Sequence, residues 1–167
     1  TNGAFNSLIN YCNIHNNGTR TNPKSGIHSE PDDESIIDNM IILNSKIVDN
    51  VTKDFKVHHN SFGHIINNIY FENCKIGSYD IATYTPAENK ENFINKLTIR
   101  NCECQTFNMG PSSQSNGGVK ELVIDNSVFT NDVSSQSQIS NNIKLLNSKL
   151  YKFYYQNDIN DLIVENC

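Results

Sequence analysis

The chain has 167 residues and a net charge of −5, which leaves room for one domain. Twenty-eight residues are asparagine and only three are alanine, a balance that disfavours helix, because asparagine competes with the helical backbone through its own side chain. Two arginines (Arg20, Arg100) without a basic cluster argue against a nucleic-acid or anionic-membrane partner, and no apolar run is long enough for a membrane-spanning helix.

In chain order, the first predicted strand is 7–14 (SLINYCNI), followed by a second at 25–29 (SGIHS) and an acidic loop carrying Glu30, Asp32, Asp33 and Glu34. Six further segments superimpose on Asn followed by Ser or Cys: 40–47 (MIILNSKI), 69–76 (IYFENCKI), 97–104 (LTIRNCEC), 122–129 (LVIDNSVF), 143–150 (IKLLNSKL) and the shorter 162–167 (LIVENC). Second strands are expected at 79–84 (YDIATY), 106–109 (TFNM) and 152–156 (KFYYQ), with Ile81, Met109 and Tyr155 each eight residues past the anchor asparagine. The stretches 111–118 and 131–142 are rich in Ser, Asn, Gln and Gly and read as solvated loops. The start at Thr1 and the stop at Cys167 in mid-repeat are what a slice of a longer protein would show.

With the anchor asparagine as position zero, positions −4 and −2 of the six segments are all apolar, in a chain that is only 37% hydrophobic. That alternation is the period-two signature of a strand with one buried face. Position −1 reads Leu43, Glu72, Arg100, Asp125, Leu146, Glu165, and Lys96 at −5 falls beside Glu121. Alternating charge in one column fits parallel, in-register stacking, since like charges on adjacent strands would penalise the stack. Anchor spacings of 33, 29, 28, 25, 21 and 19 residues suit coils that keep their strands and vary their loops. Residues 36–167 are expected to form the regular coils and 1–35 a less regular first coil with the acidic loop.

The IYFENCKI and LTIRNCEC segments resemble repeats of the pectate lyase-like right-handed parallel β-helix superfamily, over roughly residues 36–167. That resemblance implies an all-β solenoid of about seven irregular coils. Its members include polysaccharide lyases and hydrolases, bacteriophage tail spikes and non-catalytic surface proteins, so the fold leaves function open. The rival template is a leucine-rich repeat, matched by Ile94, Leu97, Ile99, Cys102 and Cys104; it requires helical or 3₁₀ second segments.

Cys12, Cys74, Cys102 and Cys167 share one repeat position with Ser45, Ser127 and Ser148. This interchange indicates a slot for a small, weakly polar side chain, and no zinc-type spacing is present. His58 and His59 are neighbours on a strand and point to opposite sides. His28 with Glu30, Asp32 and Asp33 forms the densest charge and is the candidate catalytic group, as a paired acid and base for glycoside cleavage. The same oxygens could alternatively hold Ca²⁺, or be only a solvated acidic loop. The aspartate trio, Gly-His-Gly and Arg-x-Lys of the polygalacturonase-like branch are absent from the sequence. Candidate binding residues are Tyr79, Asp80, Tyr84, Tyr154 and Arg100, where rings and polar groups could pack against sugars; Tyr155 is expected in the core.

The leading expectation is therefore a polysaccharide-recognising segment of a larger extracellular or virion-surface protein, of tail-spike type and trimeric when full length. A polysaccharide lyase or glycoside hydrolase, and a purely structural or adhesive solenoid, are the alternatives.

Overall fold

The computed structural model describes residues 6–17, 25–29, 36–59, 65–83, 93–110, 118–135, 141–155 and 159–167. In chain order the strands are β1 (Asn6–Asn10), β2 (Asn13–His15), β3 (Ser25–Ser29), β4 (Ile36–Leu43) and β5 (Lys46–Val48). Next come β6 (Lys53–His59), β7 (Ile65–Glu72), β8 (Lys75–Thr83), β9 (Phe93–Arg100) and β10 (Glu103–Gly110). The last five are β11 (Gly118–Asp125), β12 (Val128–Ser135), β13 (Asn141–Leu146), β14 (Lys149–Tyr155) and β15 (Ile159–Glu165). One sheet stacks β1-β4-β7-β9-β11-β13-β15; the other stacks β2-β5-β8-β10-β12-β14, with β3 and β6 joining it beside β8. All pairings are parallel. No helix occurs among the described residues and both segments of each coil are strands, so the fold is the parallel β-helix and not a leucine-rich repeat.

The inward columns follow the alternation. Ile42, Ile69, Phe71, Leu97, Ile99, Leu122, Ile124 and Ile143 are fully buried, while Leu162 and Val164 on the last rung are 51% and 53% exposed. Ile81, Met109 and Tyr155 fall in one register column through Ser135. Between the sheets, Phe55, Phe71, Tyr79, Phe107 and Phe129 form a chain of edge-to-face rings 4.8–6.2 Å apart, the geometry preferred by aromatic quadrupoles.

The corner between the sheets explains the anchor residue. Asn44, Asn73, Asn101, Asn126, Asn147 and Asn166 all have φ between 45° and 54°, and Tyr11 takes the same conformation at 53°. Asparagine reaches this left-handed region more readily than other side chains. Its amides also bond between coils: Asn44 Nδ2 donates to Asn10 Oδ1, Asn73 to Asn44, Asn126 to Asn101 and Asn166 to Asn147, at 2.8–3.1 Å.

The Ser/Cys slot that follows has a hydrogen-bonding task as well as a packing one. Each hydroxyl or thiol donates to the carbonyl two residues back, as Ser127 Oγ does to Asp125 O at 2.9 Å and Cys102 Sγ to Arg100 O at 3.1 Å. The same oxygen accepts from the preceding coil: Cys102 N donates to Ser127 Oγ and Ser127 N to Ser148 Oγ, both at 3.0 Å. These amides turn a buried corner where no ladder partner reaches them, so the side chain satisfies a group that would be costly to bury alone. All five cysteines are free. Burial pushes the Cys104 thiol up to about 12, and the Cys74 thiol, then burial, raises that of Cys102.

Two expectations change. The second strands begin at the corner itself, at Lys75, Glu103 and Lys149, because the turn is only two residues long. Residues 131–135, expected as loop, continue β12, where Val133 is fully buried and carries the strand through polar neighbours.

Candidate functional site

The outward face of the first sheet carries three parallel columns. The strand pairings align Asn39, Asn68, Lys96, Glu121 and Asn142 in one, and Leu43, Glu72, Arg100, Asp125 and Leu146 in another. Between them runs a third: Leu8, Ile41, Tyr70, Thr98, Val123, Lys144 and Ile163. The middle column is mostly apolar, broken by Thr98 and Lys144, and the flanking columns are mostly polar between Asn68 and Asn142 and between Glu72 and Asp125; together they make a groove along the solenoid axis. Over Tyr70, Thr98 and Val123 it forms a depression of about 440 Å³, walled by Asn68 and Lys96 on one side and Arg100 and Asp125 on the other. A second depression of about 390 Å³ continues past Lys144 and Ile163.

The walls are held by ion pairs between coils. Lys96 Nζ lies 3.2 Å from Glu121 Oε1, Lys144 Nζ lies 3.5 Å from the same oxygen, and Arg100 Nε lies 3.5 Å from Asp125 Oδ2. Such exposed pairs add little stability singly, but they fix the side chains against one another. Burial raises the Tyr70 hydroxyl above its ordinary value against the pull of Arg100, and Glu72 adds to the rise. Tyr70 therefore keeps its proton as a hydrogen-bond donor at neutral pH.

The residues singled out from sequence divide between the two sheets. Arg100 stands on the wall of this groove. His28, Asp80 and Tyr154 share one outward column of the opposite sheet with Lys56, Asn108 and Ser134. There Asn108 Nδ2 donates to Asp80 Oδ1 at 3.2 Å, Ser134 Oγ donates to Asn108 Oδ1 at 3.1 Å, and Tyr154 is 47% exposed. Tyr79 corrects an expectation: it is fully buried in the aromatic chain, with its hydroxyl 3.7 Å from Cys104 Sγ, because the strand's two-residue period turns it inward when Asp80 faces out. Glu30, Asp32, Asp33 and Tyr84 lie outside the described residues.

Tyr70, Thr98 and Val123 are the groove residues that motif reading passes over. The signal lies at position −3, an outward position that is repeatedly apolar where solvent contact alone would favour polar side chains. No protein-family model, no curated protein and no solved structure matches this chain.

Proposed function

We propose that the chain is a polysaccharide-recognising parallel β-helix that grips its ligand along the outer face of the first sheet. The observation that carries this reading is the groove itself: a half-buried aromatic and aliphatic floor at Tyr70 and Val123 between walls of amide, carboxylate and guanidinium groups. Sugar rings offer apolar faces and hydroxyl-bearing edges, and a floor of this kind packs against the first while the walls hydrogen-bond the second. Arg100 and Asn68 supply donors, and Asp125 and Glu121 supply acceptors. In the setting that the repeat resembles, the segment belongs to an extracellular or virion-surface protein of pectate lyase-like type, and the ligand is a cell-surface glycan.

A glycan array followed by titration of the best hit tests the proposal. Tyr70→Ala is expected to weaken binding about tenfold, the equivalent of ~1.4 kcal/mol, whereas Tyr154→Ala on the opposite sheet leaves it unchanged. An array without hits counts against the proposal, and so does a ligand lost in the Tyr154 variant and retained in the Tyr70 variant.

A further inference from the structure

We infer that the groove selects an uncharged, linear polysaccharide laid along the solenoid axis and discriminates against acidic chains; this deepens the glycan-binding reading and rests on it. The charges on the face favour a neutral ligand. Its three outward columns carry three cations, Lys96, Arg100 and Lys144, against five carboxylates, Glu72, Glu121, Asp125, Asp161 and Glu165. Each cation has a carboxylate oxygen within 3.2–3.5 Å. The next cation along the sheet, Lys120, sits with Nζ 3.3 Å from the centre of the Phe93 ring. A uronate or sialate group entering the groove would have to displace Asp125 from Arg100, or Glu121 from its two lysines, while meeting a face that is already net negative. Like charges brought together at close range oppose binding.

Hydroxyl groups meet no such barrier. The ion-paired carboxylates keep lone pairs for O–H donors, and hydrogen bonds to charged acceptors are the stronger kind. The Asn68 amide donates one hydrogen to Asn39 Oδ1 at 3.3 Å and has a second for ring and hydroxyl oxygens, while the Tyr70 ring packs against the apolar face of a sugar. The direction follows from the repeat: the floor residues come from successive coils spaced by ~4.8 Å, close to the length of one pyranose, so a chain lying along the axis offers one ring to each coil.

The experiment titrates the protein with neutral hexasaccharides (β-glucan, xylan and mannan types) and with oligogalacturonate and hyaluronate. Each titration is run at about 20 and about 300 mM NaCl, where screening differs severalfold. The expected result is binding of a neutral chain that changes less than about twofold with salt, with acidic chains at least about tenfold weaker. Tyr70→Ala should weaken the neutral binding about tenfold. The double variant Glu121→Gln/Asp125→Asn unmasks the cations and should gain salt-sensitive binding of the acidic chains, its folded state checked by an unchanged thermal midpoint. Preferential binding of oligogalacturonate or hyaluronate by the unaltered protein overturns this inference and leaves the glycan-binding reading in place. Binding of none of the sugars removes that reading and the inference together.

Discussion

The serine oxygen after a corner asparagine joins two coils, because it donates to the carbonyl two residues back and accepts an amide from the coil before, as Ser45, Ser127 and Ser148 do. Ser127 shows the consequence. Its Oγ receives Cys102 N at 3.0 Å in a fully buried corner, so Ser127→Ala leaves that amide unsatisfied and is expected to cost about 1–3 kcal/mol. Ser127→Cys, which restores a donor and acceptor of similar size, should cost clearly less; urea denaturation of both variants measures the difference, and equal losses would refute the hydrogen-bonding role. The interchange of Ser with Cys is legible in the sequence as a demand for something small and weakly polar. The bond is not, because its donor lies 25 residues away on another coil and only stacking brings the two together.

Among the elements, β6 and β8 meet through a device that no repeat predicts. The first two coils interrupt the second sheet, placing β2 and β5 before a bend and β3 and β6 after it, whereas β8 runs unbroken past both. Asp54 closes the step. Only 5% exposed, it accepts Asn50 N and Nδ2 at 3.0 and 2.8 Å on one oxygen, and Ser78 N and Oγ at 2.8 and 3.1 Å on the other. Gly77 provides the space, since a Cβ there would collide with Asp54 Oδ2. Gly77→Ala is therefore expected to destabilise by about 1–3 kcal/mol through overpacking. In a double-mutant cycle with Asp54→Ala the two losses should be less than additive; strict additivity would show that the glycine serves something other than this carboxylate. Asp54 and Gly77 carry no repeat signal in the sequence, and β12 looks like loop through 131–135. In both places a buried contact with the neighbouring coil overrides local composition.

For the whole molecule, stacking without long-range crossovers makes stability a sum over coils and their interfaces. A central truncation should therefore weigh far more than a terminal one with the same side chain. Leu97→Ala, at a fully buried position on β9, is expected to cost about 2–5 kcal/mol. Leu162→Ala, 51% exposed on β15, should cost the 167-residue chain less than about 1 kcal/mol. Comparable shifts in the denaturation midpoint would contradict the exposed position of Leu162. The same stacking builds the groove, because a column exists only when consecutive coils are held in register.

By itself the sequence determined the repeated strands of the first sheet, their parallel register and the corner asparagines, because these are set by period-two alternation and by the backbone preference of single residues, both local properties repeated down the chain. It also placed Arg100 in a charge ladder and Asp80 among the candidate binding residues of a second strand. Only the tertiary structure decided which outward residues act together. It separated Arg100 from the column of His28, Asp80 and Tyr154, and gathered Tyr70, Thr98 and Val123 into one floor. That difference has a physical cause: a strand's alternation says which side a residue faces, while a surface is made by neighbours some 20–30 residues apart that meet through the stack alone.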